Sequence, residues 1–114
     1  MNSLRNKVHL IGHLGMKPEV KETSNGKKKA SFSVATNEQY KNNEGVNIKE
    51  TQWHRVTAWG KLADIAEKYL DKGREIALEG RLITRTYNDK TGAKKFYTEI
   101  QANDLVMLGS KPKD

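Results

Sequence analysis

The sequence predicts an all-β fold: five short strands in a small, strongly curved sheet, with one helix between the third and fourth. Two observations carry that expectation. Apolar and polar residues alternate with period 2 in five separate segments, as half-buried strands require. A single segment breaks that period for the 3.6-residue spacing of an amphipathic helix. Composition agrees with a small barrel, since only 35% of the 114 residues are hydrophobic and the mean hydropathy is −0.85. A chain of this length buries roughly two-thirds of the surface its unfolded form exposes, enough for one modest core.

From the N-terminus, Lys7 to Leu14 alternates Val8, Leu10, Gly12 and Leu14 against His9, Ile11 and His13. Ala30, Phe32, Val34 and Thr36 then alternate with Ser31, Ser33 and Ala35. The third strand, Thr51 to Trp59, puts Trp53, Arg55, Thr57 and Trp59 on one face and Gln52, His54, Val56 and Ala58 on the other. Leu62, Ile65, Ala66, Tyr69 and Leu70 form the helical stripe, with Gly73 expected as its C-cap and Lys72 beside its negative end. Ile76, Leu78, Gly80 and Leu82 alternate with Ala77, Glu79, Arg81 and Ile83. Phe96, Thr98, Ile100 and Ala102 make the fifth strand, which Leu105 to Leu108 continues after an irregularity at Asn103-Asp104. Gly12 and Gly80, inside strands, mark bends where the sheet coils tightly.

Five strands with a helix between the third and fourth is the order of an OB-fold, a partly open Greek-key barrel that binds oligonucleotides. Small SH3-like barrels come close to the same order. The connections 17–29, 37–50 and 84–95 are long and polar. Each centres on turn residues: Asn25-Gly26, Asn42-Asn43-Glu44-Gly45 and Asn88-Asp89-Lys90-Thr91-Gly92. They read as hairpin arms protruding from the barrel. One domain is expected over 1–109, with 110–114 a short C-terminal remnant.

Composition excludes several classes of function. No apolar run approaches the ~18 residues of a membrane span, and no apolar stretch near the N-terminus reads as a secretory leader. There is no cysteine, which removes disulfide scaffolds, thiol nucleophiles and cysteine-ligated zinc. Lys and Arg number 21 against 14 Asp and Glu, a net charge of +7 that favours polyanion partners. The excess is concentrated: residues 1–29 carry net +5 and residues 81–95 net +4, while Leu62 to Gly80 carries −2.

Thr51 to Trp59 holds the sharpest signal. Side chains two apart on a strand face lie about 6.6–7 Å apart, comparable to the base spacing of a relaxed single strand. Two indoles with a guanidinium between them thus form a stacking platform with a phosphate or cation–π contact built in. The alternative, tryptophans in the core with Arg55 snorkelling past them, fits less well because Val56 and Ala58 suit a small core better than two indoles. Tyr40 and Tyr87 on the arms, near Lys41 and Arg85, add two rings beside basic groups.

Catalysis finds no comparable support, and no enzyme is expected. His9 and His13 share a strand face roughly 13 Å apart, too far to hold one metal. Gly60-Lys61 and Gly26-Lys27 lack both the upstream glycine and the following Ser/Thr of a phosphate-binding loop. No carboxylates pair on one strand face, and no metal or other cofactor is implied.

Asn6-Lys7-Val8, Gly12-His13-Leu14-Gly15, Pro18-Glu19-Val20, Trp53-His54-Arg55-Val56, Gly60-Lys61-Leu62-Ala63, Tyr69-Leu70, Lys72-Gly73 and Glu79-Gly80-Arg81-Leu82 occur in this order. Together they closely resemble the bacterial-type single-stranded DNA-binding family, from about Leu4 to Gly109. The resemblance implies an OB-fold, a homotetramer, and single-stranded DNA wrapped around it without strong sequence preference during replication, recombination and repair. It places Tyr40, Trp53, Trp59 and Tyr87 on the family's four base-stacking positions, three of them with a different ring type from the usual one. Phosphate neutralisation is expected from Lys7, Arg55, Lys61, Lys72, Arg81 and Arg85. Subunit contacts are expected from His54, on a position the family uses at its interface, and from Val8 and Leu10. Asp71-Lys72 replaces a basic pair that family members often carry. The family's long tail with an acidic tip, which recruits other replication and repair proteins, has no counterpart in Ser110-Lys111-Pro112-Lys113-Asp114. Such partners are therefore expected only if the native protein carries a tail. A cytoplasmic, nucleoid-associated location is expected. Two rival readings share the barrel: a replication-restart accessory protein, which need not keep the aromatic platform, and an RNA-binding OB module.

Overall fold

In the computed structural model, which describes residues 5–109, five long strands close into a barrel. These are β1 (Val8–Leu14), β3 (Lys28–Lys41), β4 (Asn47–Trp59), β5 (Glu75–Asn88) and β6 (Lys94–Leu108). Neighbours run β1-β5-β6-β4-β3, and β3 meets β1 again at His13↔Ala35 and Leu14↔Val34, which closes the ring. All pairings among them are antiparallel except β4 with β6, which is parallel at Val56↔Ile100 and Thr57↔Gln101. Among the described residues the single helix, α1 (Lys61–Tyr69), sits between the third and fourth barrel strands, as the pattern predicts. The fold is an OB-type barrel. The segment at Leu4 and the remnant 110–114 lie outside the described residues.

The core follows from strand parity. Val34, Val56, Ala30, Ala58 and Ile76 are fully buried, and Phe32, Leu78, Ile100 and Ala102 nearly so. Small side chains let the sheet coil tightly. A methyl group on Gly12 would strike the Ala35 carbonyl oxygen, and one on Gly80 the Gln101 carbonyl oxygen, so both strands cross their neighbours where only hydrogen fits. The helix turns Ala63 and Ala66 onto this core, with Leu70 buried directly after it.

Two details differ from the sequence reading, and the expected arms and irregularity take definite form. The four-residue β2 (Glu19–Glu22), which pairs with the start of β3 from Glu19↔Ser31 to Glu22↔Lys28, falls within what reads as a loop. Only Val20 in it is partly buried, too little apolar content to display a period. The helix caps at Leu70 rather than Gly73, because Leu70 must leave the helix in extended backbone to enter the core. Gly73 lies in the following turn, where its N–H donates to the Leu14 carbonyl at 2.9 Å. The arms are continuous two-stranded ribbons, with β3–β4 paired out to Lys41↔Asn47 and β5–β6 out to Asn88↔Lys94. The irregularity expected at Asn103-Asp104 is a bulge: Glu79 pairs with Asp104 and Gly80 with Ala102, leaving Asn103 over.

Candidate functional site

β4 divides its side chains between barrel interior and outer wall. Val56 and Ala58 point in, while Trp53, 62% exposed, and Arg55 point out. The neighbouring strands extend that outward row by register. Lys29 lies opposite Trp59, Ser33 opposite Arg55, and Ala35 opposite Trp53 on β3. On the other side come Tyr97 and Glu99 of β6, then Arg85 and Tyr87 of β5. The rows join through direct contacts. The Arg55 guanidinium lies 5.0 Å from the Tyr97 ring centroid, and the Tyr97 and Tyr87 rings stand 5.9 Å apart at a 56° tilt. Lys29 Nζ sits 5.5 Å over the Trp59 ring. The Trp53 indole leans on Gly15, where a Cβ would overlap the ring.

Two open clefts run along this wall. One, of about 550 Å³, is lined by Trp53, Arg55, Tyr97, Glu99 and Lys29 among others. A second, of about 930 Å³, takes in Trp59, Arg85, Gln101 and the turn at Gly26-Lys27. The surface can offer ring faces to bases and guanidinium or ammonium groups to phosphates. One nearby cation is already engaged. Lys28 Nζ lies 2.8 Å from both Asp64 and Glu67 of α1, whose hydrogen bonds raise its pKa further above the usual lysine range.

A carboxylate lies beneath the basic face. Glu99 is 1% exposed, and its Oε1 accepts from Arg85 Nε at 2.7 Å. Burial pushes its pKa up, but the Thr57 hydroxyl and the Arg85 guanidinium outweigh that and hold the carboxyl below the ordinary value. The Thr57 contact falls short of a well-formed hydrogen bond: Thr57 Oγ1 and Glu99 Oε2 are both buried without a partner of good geometry.

Of the residues singled out in the sequence, Trp53, Arg55, Trp59, Arg85 and Tyr87 come together on this wall. Arg81 is exposed in register with Gln101, and Lys61 is exposed at the start of α1, directly after Gly60. Lys72 is exposed in the turn that Gly73 ties to Leu14, next to the Gly15 that supports Trp53. Tyr40, 48% exposed, sits far out on the β3–β4 ribbon, opposite Ile48. Counting along β3 from inward Val34 places it on the other side of that ribbon from Trp53. Lys7 is ion-paired with Glu79 at 3.0 Å beside β1, and this pairing pulls the Glu79 carboxyl below its usual range.

The sequence reading missed Tyr97, Lys29 and Glu99. Tyr97 and Glu99 occupy the alternate parity of β6, of which only the apolar row was read. The closeness of Lys29 to Trp59 exists only through the β3–β4 register.

Val8 and Leu10, expected at a subunit surface, are partly buried and pack against the core. Outward positions on the same strand belong to His9, Ile11 and His13. Ile11 (62% exposed) and Val106 (56%) line a separate, largely apolar cleft with His9, Ala77 and Glu79. His54 is half-buried, its Nε2 3.0 Å from Thr36 Oγ1. Among the described residues, no group of three or more His, Cys, Asp or Glu is placed to hold a metal ion, and no helix is long and apolar enough to cross a membrane.

The model of the Single-strand binding protein family matches residues 5–108. The chain is 53% identical over 107 residues to the Single-stranded DNA-binding protein 1 of Chlorobaculum tepidum, covering 93% of this chain and 66% of that one. It is 44% identical over 106 residues to the Single-stranded DNA-binding protein of Neisseria meningitidis, covering 93% and 61%. The chain thus spans slightly less than two-thirds of the length of these curated relatives. Among solved structures it resembles a Plasmodium falciparum SSB complex with ssDNA, with a TM-score of 0.84 and 37% identity over 96% of this chain and all of the other. A deletion mutant of the single-stranded DNA binding protein from Thermus aquaticus is similar at a TM-score of 0.82 and 28% identity, covering 93% and 51%.

Proposed function

The chain belongs to the single-strand binding protein family, and from that premise we propose that it binds single-stranded DNA with little sequence preference. It covers and organises the strand during replication, recombination and repair, within a cytoplasmic, nucleoid-associated setting. The observation that carries this reading is the outward row Trp53–Arg55–Trp59, extended by Tyr97, Tyr87 and Arg85 into one aromatic and cationic wall. Bases of a single strand stack on such rings regardless of identity, because every base has a π-face, whereas duplex bases are already stacked and paired. Arg55, Arg81, Arg85, Lys29, Lys61 and Lys72 supply phosphate neutralisation. Lys7 adds to it only by exchanging its Glu79 partner for a phosphate.

The binding unit is the barrel domain, 1–109. Assembly as a homotetramer is supported by the exposed apolar surface around Ile11 and Val106, with His54 on a second contact. Replication and repair proteins are recruited through a tail, where the native protein carries one.

Titration of the intrinsic fluorescence of Trp53 and Trp59 with oligo-dT tests this reading. Quenching is expected with single-stranded DNA and far less with duplex. The apparent affinity should fall with salt, log K dropping by about 0.7 per neutralised phosphate per decade. Equal affinity for duplex and single strand refutes the proposal.

A further inference from the structure

An acidic side chain buried under a surface that binds polyanions needs a reason. Glu99 is nearly inaccessible, whereas the Arg85 side chain it holds is 40% exposed. The two residues lie diagonally across the β5–β6 ladder, since Arg85 pairs with Tyr97 and Ile83 with Glu99. The bond uses Arg85 Nε, at 2.7 Å, and so leaves the two terminal nitrogens of the guanidinium unspent. Glu99 lines the cleft of Trp53 and Arg55, and Arg85 lines the cleft of Trp59. The pair thus stands where a strand passing from one cleft to the other crosses the wall.

We propose that Glu99 is a positioning residue for DNA: from beneath, it fixes the Arg85 guanidinium so that its terminal N–H groups face the backbone phosphate between the two clefts. The inference rests on the single-strand-binding reading of this wall. An exposed arginine without such an anchor samples many rotamers and loses that freedom on binding. One already held by a charge-assisted bond presents its fork in a single orientation. The carboxylate stays ionised, as the anchor requires, because the Arg85 guanidinium bonded to it holds its pKa down against burial.

Simple charge counting and positioning predict opposite signs for Glu99→Gln. Removing a negative charge beneath the wall should tighten DNA binding if charge alone matters. Loss of the anchor should weaken oligo-dT binding about tenfold, the scale of one charge-assisted hydrogen bond. The double variant Arg85→Ala/Glu99→Gln should bind no more than slightly weaker than Glu99→Gln. Its salt dependence should be shallower than that of the parent by about 0.7 per decade, one phosphate contact. A second readout needs no DNA: the Arg85 Nε–H resonance should be sharp and slow to exchange in the parent and exchange faster in Glu99→Gln, whose amide oxygen offers only a weaker, neutral bond. Parent-like or tighter binding by Glu99→Gln overturns the proposal, as does a double variant with the parent's affinity and salt slope. So does an Arg85 Nε–H in fast exchange in the parent. A parent chain that does not bind oligo-dT at all instead refutes the functional reading, so the two failures are distinguishable.

Discussion

The outer wall of this barrel carries two surfaces built from the same kind of strand. Along β3, β4, β6 and the arm of β5, outward positions hold Lys29, Trp53, Arg55, Trp59, Tyr97, Arg85 and Tyr87. Along β1 and the barrel end of β5 and β6, they hold His9, Ile11, Ala77 and Val106, where Lys7 is ion-paired with Glu79 at 3.0 Å and Asp104 adds a second carboxylate. Rings interleaved with cations that keep N–H groups free, Arg85 included despite its bond to Glu99, suit a flexible polyanion whose bases are free. An exposed apolar patch whose lysine is already paired with a carboxylate suits another protein surface, and the simplest candidate is a second copy of the chain. Parity alone does not separate the two surfaces. What separates them is which residues fill the outward parity: rings and cations on one, short apolar side chains on the other.

The comparison breaks most readily at Trp53. Trp53→Ala should reduce oligo-dT affinity by about 1–3 kcal/mol, the worth of one stack, measured by anisotropy of a labelled oligonucleotide. Ile11→Ala, on the other surface, should leave the affinity for a short oligonucleotide unchanged. Equal losses in both variants would erase the distinction between the surfaces.

Ile11→Lys sharpens the contrast from the other side. A lysine in the middle of the apolar patch should lower the mass seen by light scattering at micromolar concentration while short-oligonucleotide binding persists. An unchanged mass would detach the patch from assembly.

A smaller effect is expected at Gly15. Alanine there pushes its Cβ into the Trp53 ring, so the indole must shift while the barrel stays intact. The expected cost in affinity is about 1 kcal/mol, below that of losing the ring entirely. A changed Trp53 emission maximum in the free protein would mark the displacement. Parent-like emission together with parent-like affinity would mean that Gly15 does not set the ring's position.

The least effect belongs to the tip of the β5–β6 arm, where Asp89 Oδ1 accepts from Thr91 Oγ1 at 2.7 Å and from the Thr91 and Ala93 N–H groups at 2.9 Å. These bonds, with the Thr91 hydroxyl foremost, lower the Asp89 pKa from its ordinary 3.8. A depressed folded-state value means that the stabilisation is fully present above the unfolded pKa and is lost as pH falls through the folded one. Amide exchange at Thr91 and Ala93 should therefore quicken in Asp89→Ala at neutral pH, and the difference from the parent should close in strong acid. A difference that persists unchanged into strong acid would remove the ionised carboxylate from the account.

Much of this protein was determined by the order of its residues. Period-2 rows from Val8 to Leu14, Ala30 to Thr36 and Ile76 to Leu82 define half-buried strands because the pleat sends alternate side chains to opposite faces. The stripe from Leu62 to Leu70 defines the helix for the corresponding reason at 3.6 residues per turn. The same logic placed Trp53, Arg55 and Trp59 on a common outward face, since residues on one strand need no partner to share a side. Tertiary structure decided everything that depends on which strand lies beside which. Tyr97 joins Arg55 because β6 runs next to β4, and Lys29 covers Trp59 because of the β3–β4 register. Glu99 lies under Arg85 through a diagonal of the β5–β6 ladder. The side of the ribbon on which Tyr40 stands relative to Trp53 likewise depends on the β3–β4 register, which no period within one strand encodes.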